Sequence, residues 1–420
     1  MKRWFVPMLL LAGLLLPQPA MTAEVTEVLD AADGEDPIDI NLDVGFRSIL
    51  NRSKITHEAS WYWQRPGYSD RPDFNELRFE QQIYAMDYTF QIGLYHDVEL
   101  YANLPWIISD ERSITWVSGV SNTTSTLFQL NPTDPDYPPY NALAVDPTDT
   151  PSTSRSGIGD IQLGFKWAVF NDERDDTKSV WIIGLDYTIP SGKLAQPKDV
   201  ATGAEGNVGL GHHVITPFML FSHRFKVLDP YIGLHGSIPI QGREARNAGF
   251  TAPYWGGFLV GMEIVPWENR DKHQKFAIDV HLTTDFFSEV ESKGHDKERG
   301  FVNEMSDFLA GINPTTSMPD SDYRQLQAMG NYTQFGLHLG FVIRAAQFVR
   351  LRFGVSLAHN TEHFLTGADY CDDKTGEGEC DQSEDIQNLY RNFIYDDPGR
   401  RLRVEETTIF TWWVTGMLTF

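Results

Sequence analysis

The last eleven residues, 410–420, constrain the fold more than any other stretch, because apolar side chains recur at every second position. Successive side chains of a strand point to opposite faces. One face would carry Phe410, Trp412, Val414, Gly416, Leu418 and Phe420, and the other Thr411, Trp413, Thr415, Met417 and Thr419. The pattern predicts a strand whose apolar stripe runs to the end of the sequence.

The first 23 residues have the form of a secretory signal. Lys2 and Arg3 precede an apolar run over 8–16, and the small residues Ala20 and Ala23 follow it. We therefore expect residues 1–23 to be removed on export and the short acidic stretch 24–37 to be a periplasmic segment. No later segment offers the roughly 18 consecutive apolar residues that a membrane-spanning helix needs.

The remainder consists of alternating segments whose links are short and long in turn. Strands are predicted at 38–50, 78–95, 97–109, 157–170, 178–190, 211–226, 229–241, 252–266, 274–287, 329–345, 347–360 and 403–420. Outer-membrane barrels have short periplasmic turns and long outward loops, and only closed barrels span lipid with strands. The sequence predicts one all-β domain over 38–420, a transmembrane antiparallel up-and-down β-barrel of twelve strands in the outer membrane of a Gram-negative bacterium. A missed pair of strands within 51–77 or 110–156 would make fourteen, and residues 54–63 are the best candidate for a missed strand.

Two kinds of partner follow from this interpretation. The C-terminal residues Trp412, Val414, Leu418 and Phe420 resemble the signal that such barrels offer to the barrel-assembly machinery. The apolar faces predict contact with outer-membrane lipid. A net charge of −24 disfavours a nucleic-acid partner.

Charged residues on the faces opposite the apolar stripes are predicted to line the lumen, because a charge on the lipid face at mid-bilayer costs about 2–4 kcal/mol. The candidate lumen-lining residues are Asp160, Lys166, Asp279, His281, Asp285, His338, Arg344, Arg350 and Arg352. Asp160 and Lys166 are expected to pair with each other or with the three arginines. Two interpretations stay open: an ion-pair network without a substrate role, or a charged constriction that selects solutes.

Three stretches carry a family resemblance. They contain Glu99, Leu100 and Pro105, then Gly157, Gly159, Asp160, Leu163, Gly164 and Lys166, then Pro190, Ser191, Gly192 and Lys193. This pattern resembles the transporter family named after the outer-membrane protein of the phenol meta-cleavage pathway. The resemblance implies a monomeric barrel that passes small hydrophobic or aromatic molecules.

Other chemistry is weakly indicated. His359 and Asn360 invite comparison with outer-membrane phospholipases, but Thr361 follows where those enzymes have serine, so no catalytic residue is predicted. Scattered histidines, including His235, favour no metal site, and no cofactor is predicted.

Cys371 and Cys380 are expected to form a disulfide in an oxidising compartment. The acidic loop around them, 370–385, is either a solvated loop or a Ca²⁺ site.

The function predicted from these features is a passive, porin-like channel for small, hydrophobic or aromatic molecules. The alternative is a structural or surface-interaction barrel with a closed lumen, and lipid hydrolysis is the less favoured third possibility. Twelve strands lie between eight, where side chains fill the interior, and sixteen, where water does.

Overall fold

The computed structural model describes residues 23–29, 39–58, 73–95, 97–127, 152–171, 179–195, 207–269, 272–291, 304, 328–346, 348–367, 371–372, 386–387, 395–396 and 398–420. Residues 1–22 of the predicted signal segment therefore lie outside the described residues. So does Cys380, and the disulfide stays a prediction. The 370–385 loop is described only at 371–372, so the choice between a Ca²⁺ site and a solvated loop also stays open.

Strands make up nearly all of the described structure. They are β1 (Ile40–Glu58), β2 (Asp73–Tyr95), β3 (Val98–Trp116), β4 (Thr153–Ile158), β5 (Ile161–Phe170), β6 (Val180–Ile189), β7 (His212–Ser222), β8 (Leu228–Gln241), β9 (Trp255–Asn269), β10 (Gln274–Phe287), β11 (Val290–Glu291), β12 (Ala328–Met329), β13 (Tyr332–Ala346), β14 (Val349–Asn360), β15 (His363–Phe364), β16 (Cys371–Asp372), β17 (Ile386–Gln387) and β18 (Leu402–Thr419). A short helix, α1 (Arg243–Ala248), follows β8, and a 3-10 turn covers Glu24–Thr26. No helix within the described residues has the length and apolarity needed to cross a membrane.

The strands close into a barrel. Each long strand pairs antiparallel with its neighbours in chain order, and β18 pairs with β1. The last residue completes this seam, since Phe420 N donates to Ile40 O at 2.8 Å and Ile40 N donates to Phe420 O at 3.2 Å. The C-terminal strand therefore closes the sheet and leaves no free edge.

Twelve barrel strands result, because β4 and β5 both pair with β3 and together form one of them. The twelve-strand prediction is confirmed and the fourteen-strand alternative is wrong. Residues 54–58 continue β1 by pairing with β2, and 153–158 pair with the long-loop half of β3, so neither stretch starts an additional pair.

Short and long connections alternate around the barrel, as predicted. Asp97, Lys226 and His273 have φ values of 58°, 59° and 50° in three of the short turns, a left-handed conformation that reverses the chain tightly. We call the two ends of the barrel the short-turn end and the long-loop end. Both described ends of the barrel sequence, Ile40 and Thr419, lie at the short-turn end.

The two faces of the sheet differ in chemistry. Large apolar side chains project from the outer face, among them Phe90, Leu163, Phe165, Trp167, Leu185, Ile232, Val260, Leu282, Leu337, Leu351, Phe353, Val355, Leu357, Trp412 and Val414, each at least 36% exposed. An exposed apolar belt of this extent is unfavourable in water. It matches the lipid-facing band of a transmembrane barrel.

Candidate functional site: the barrel lumen

Ion pairs and hydrogen bonds cover much of the inner wall. Cross-strand partners share a face, so charges on neighbouring strands come within bonding distance. The pairs, given as the closest N–O distances, are Lys166–Glu99 at 3.1 Å, Arg47–Asp87 at 3.1 Å, Arg352–Asp43 at 2.9 Å, Lys275–Glu263 at 2.5 Å and His235–Asp285 at 3.0 Å. Paired charges stabilise one another where water is scarce, which allows a charged lining in a membrane-embedded barrel.

A cavity of about 480 Å³ lies inside the barrel between β1, β2, β13, β14 and β18; we call it the chamber. Its wall includes Asp43, Arg47, Asp87, Thr89, His338, Arg352, Ser356, Thr411, Trp413 and Thr415. The side chains of Arg47, Asp87 and Arg352 retain 37%, 25% and 24% exposure. Water therefore reaches ion pairs on the inner wall of the barrel.

Aromatic rings lie flat against glycines of the inner wall. A Cβ atom on Gly164 would come within 1.9 Å of the Tyr101 ring, and one on Gly184 within 2.0 Å of the Phe218 ring. Trp413 covers Gly354 in the same way, at 2.7 Å. Because glycine has no side chain, the ring of a neighbouring residue can lie over its backbone and need not project into the lumen. Aromatic rings cover strand glycines in this way in other β-sheets.

Histidines and carboxylates form a cluster on β10 and β13, joined by a tyrosine from β8. The rings of His281 and His338 stack with centroids 4.3 Å apart, and His281 Nδ1 lies 2.7 Å from Asp279 Oδ2. Tyr231 donates its hydroxyl proton to Asp279. The cross-strand pairing of His281 with His338 explains why residues 57 positions apart meet.

Residues 24–29, which we call the N-terminal segment, lie within the short-turn end of the lumen. Val25 and Val28 pack against Ala168, Val180, Ile182 and Leu220. Leu29 N donates to Glu99 Oε2 at 3.0 Å, and the hydroxyls of Thr26 and Ser222 are 2.8 Å apart. On a different part of the wall, Arg350 donates from both terminal nitrogens to the Glu27 carboxylate. The segment thus spans from β3, β5, β6 and β7 to β14.

A second cavity, of about 860 Å³, lies at the long-loop end beside β9, β10, β13 and β14. Stacked rings from adjacent strands line it: the Phe287 and Tyr332 centroids are 4.5 Å apart, and Trp255 continues the stack at 6.3 Å from Phe287. His363 stacks on the other face of Tyr332 at 4.3 Å. This mouth cavity offers aromatic surface to a solute.

The opposite side of the long-loop end is closed by an apolar cluster, which we call the outer cap. It contains Ile55, Leu77, Phe79, Ile114, Leu127, Leu365, Tyr395, Leu402 and Val404, none more than 4% exposed. Glu76 secures the connection after β3, because its buried carboxylate accepts hydrogen bonds from Ser125 Oγ, Thr126 N and Thr126 Oγ1. The inner face of the barrel thus changes from polar to apolar toward this end.

The candidate residues from the sequence fall into separate groups. Asp279, His281 and His338 meet in one cluster, while Asp285 pairs with His235. Lys166 pairs with Glu99 and not with Asp160, which accepts backbone N–H bonds from Gly192 at 2.9 Å and Leu210 at 2.7 Å. Asp160 therefore holds the connection between β6 and β7 in place.

The three arginines share one wall but have different contacts. Arg344 and Arg350 are direct cross-strand partners, and Arg352 pairs with Asp43 at the chamber. His359 and Asn360 point to opposite faces, since His359 bonds to Thr407 O while Asn360 accepts from Gln334 Nε2. They do not form the pair that a hydrolase would need.

Several lumen residues were missed from the sequence. Asp43, Arg47 and Asp87 follow the same alternation as the predicted residues and could have been found by extending it to β1 and β2. Glu27 has no such signal, because it lies outside any strand and reaches Arg350 across 323 positions of sequence.

Comparisons with known proteins give similarity at the level of the barrel. No family model matches the sequence, and no curated protein does. An outer-membrane channel from Pseudomonas putida F1 aligns at 9% identity over 90% of this chain and 95% of its own, with a TM-score of 0.41. A FadL homologue of Pseudomonas aeruginosa aligns at 8% identity, covering 91% of this chain and 90% of its own, with a TM-score of 0.35. The Escherichia coli protease OmpT aligns at 6% identity, covering 94% of this chain and 100% of its own, with a TM-score of 0.31. Similarity this low does not establish a shared family.

Proposed function

We propose that this protein is an outer-membrane channel for the passive passage of small molecules. The observation that carries the proposal is the chamber, whose ion pairs Arg47–Asp87 and Arg352–Asp43 keep part of their surface exposed inside the barrel. A barrel that served only as a structural element could fill its interior with side chains, as eight-stranded barrels do. Here an open space is retained inside the barrel, along the wall formed by β13, β14, β18, β1 and β2.

The outer-membrane location rests on the fold and its surface. A closed antiparallel sheet satisfies its backbone hydrogen bonds internally, which lipid demands. The exposed apolar belt matches the hydrocarbon layer, and the predicted signal segment provides the route out of the cytoplasm.

The solutes that best fit are small molecules with aromatic or apolar surface. A molecule arriving from the long-loop end would first meet the stacked rings of Trp255, Phe287 and Tyr332. Aromatic pairs in offset or edge contact contribute about 0.5–1.5 kcal/mol beyond burial. This is enough to concentrate such solutes at the mouth without trapping them.

A closed barrel is the second candidate, and two observations favour it. The N-terminal segment lies within the short-turn end, and the outer cap fills one side of the long-loop end. A closed barrel would hold these elements permanently in place, whereas a channel must leave or open a path beside them.

Liposome swelling with the purified, refolded protein separates the two candidates. Thr411→Trp fills the chamber, whereas Val414→Trp adds the same bulk to the lipid face of the same strand. We expect wild type and Val414→Trp to pass small neutral solutes that do not cross lipid, such as phenyl glucoside, at similar rates and Thr411→Trp to pass them more slowly. Equal permeation by all three, or none by wild type with heat-modifiable gel mobility intact, would contradict passage through the lumen.

A further inference from the structure

The Glu27 carboxylate is held by an almost fully buried guanidinium of the barrel wall. Arg350 is 5% exposed, its Nη2 lies 2.6 Å from Glu27 Oε1, and its Nη1 donates to Oε2. Burial acts to raise the pKa of Glu27, but the attraction and hydrogen bonds of Arg350 outweigh it and hold the pKa well below the usual range. Glu27 therefore binds as an anion.

Further positive charge surrounds this contact. Arg344 and Lys275 also attract Glu27. Both lie on the inner wall in register with Arg350, since Lys275 pairs with Arg344 across β10 and β13, and Arg344 pairs with Arg350 across β13 and β14. Lys275 also bonds to Glu263 at 2.5 Å, and Arg350 is the residue that bonds directly to Glu27.

The contact lies next to the chamber. Arg350 and Arg352 are two residues apart on β14 and face the same side, which separates their Cα atoms by about 7 Å. Arg352 lines the chamber, and Arg350 lies toward the short-turn end, where the N-terminal segment reaches it. A solute that leaves the chamber in that direction arrives at the group that Glu27 occupies.

We propose that Arg350 and Arg344 form a carboxylate-binding subsite of the lumen, that Glu27 is its internal ligand, and that small organic carboxylates compete for it. This inference rests on the proposed channel function and narrows the substrate class. The two parallel bonds favour a carboxylate over a spherical anion, because a guanidinium matches the planar carboxylate with two donors at once. The carboxylate of the solute would then take the place of the Glu27 carboxylate, and its contacts with Arg350 would compensate for the contacts that Glu27 loses.

Glu27→Gln tests the proposal because it removes the competing charge and keeps the side-chain shape. We expect benzoate to bind detergent-solubilised Glu27→Gln about tenfold more tightly than wild type by titration calorimetry, the gain for a site that Glu27 fills nine-tenths of the time. Benzamide, the neutral analogue, and chloride at equal concentration should show no such gain. Arg350→Lys in the Glu27→Gln background keeps the charge but removes the paired donors, and benzoate affinity should fall back.

The control is Glu80→Gln, which removes a carboxylate from an exposed arginine pair distant from the subsite, at the long-loop end, where Glu80 Oε2 accepts from Arg52 Nε at 2.8 Å. Its benzoate affinity should equal that of wild type. Equal benzoate affinity in wild type and Glu27→Gln, or a gain that survives Arg350→Lys, would overturn the subsite.

The outcomes for the subsite and for the channel are separable. Benzoate binding that follows the expected pattern, combined with liposomes that stay impermeable to every solute, would support the subsite and refute the channel. Permeation of phenyl glucoside without any effect of Glu27→Gln on benzoate binding would keep the channel and refute the subsite.

Discussion

The two ends of the lumen are occupied by different means. The outer cap at the long-loop end is an apolar cluster in which nine side chains from strands and connections are at most 4% exposed. The N-terminal segment at the short-turn end is a single short stretch, held by Val25 and Val28 on one side and by the Glu27–Arg350 pair on the other. The outer cap depends on many apolar contacts at once, whereas the charged contact of the N-terminal segment involves a single carboxylate, which another carboxylate could replace. If the proposed subsite is correct, a solute acts on the short-turn end of the lumen and leaves the outer cap unchanged.

The largest expected effect concerns the outer cap. Phe79→Ala should lower the free energy of unfolding by about 3–5 kcal/mol, because it removes a ring that is 1% exposed and leaves a cavity. Urea unfolding in detergent micelles measures this. Phe225→Ala, at a site 60% exposed in a short turn, should change stability little. Similar losses in both variants would show that the cap is not the firmly packed end.

The next largest effect concerns the cost of placing a charge on either face of the barrel wall between the two ends. Val355→Lys places a charge on the outer face and should cost about 2–4 kcal/mol in a bilayer if Val355 lies near its midplane. Thr411→Lys places the same charge on the inner face, next to the position opposite Val355, and should cost clearly less, because polar and charged side chains line the chamber. Folding into lipid vesicles compares the two. A reversed order would mean that the faces are assigned incorrectly.

A smaller loss of unfolding free energy is expected for substitutions at the glycines of the barrel wall that aromatic rings cover. Gly164→Ala would bring a methyl group within 1.9 Å of the Tyr101 ring, which must then move away from Asp186. We expect a loss of about 1–3 kcal/mol, typical of overpacking. Gly236→Ala, with nothing within 4 Å of the new Cβ atom, should be close to neutral in the same unfolding assay. A neutral Gly164→Ala would show that the ring has room to shift.

The smallest effect is the response of the N-terminal segment to pH. Because the folded pKa of Glu27 is lowered from 4.5, its contribution to holding the segment is complete above that value and is lost as the pH falls through the folded pKa. Hydrogen exchange of residues 24–29, corrected for intrinsic rates, should be constant from about pH 5 to 8 and should rise in more acidic buffer. Glu27→Gln should show the faster exchange throughout, with a much smaller change on acidification. A rise already near neutral pH would assign the attachment to another group.

Local alternation accounts for what could be predicted. The strands over 274–287 and 347–360, and the two faces of the C-terminal strand, follow from a period of two in side-chain direction. The same period correctly grouped Asp279, His281 and His338 on one face. The observed partner of Lys166 could not be predicted in this way. Glu99 and the expected partner Asp160 both lie on the inner face, and only the register of β3 against β5 selects Glu99.

The sequence by itself determined the all-β barrel, the number of its strands and the side of each strand that faces lipid, because these depend on periodicity and on where turns interrupt it. Tertiary structure decided the contents of the lumen. Glu27 meets Arg350, and the outer cap joins Ile55 to Leu365 and Tyr395, only after the sheet has closed. Such contacts depend on register and closure across hundreds of residues, and no local pattern in the chain encodes them.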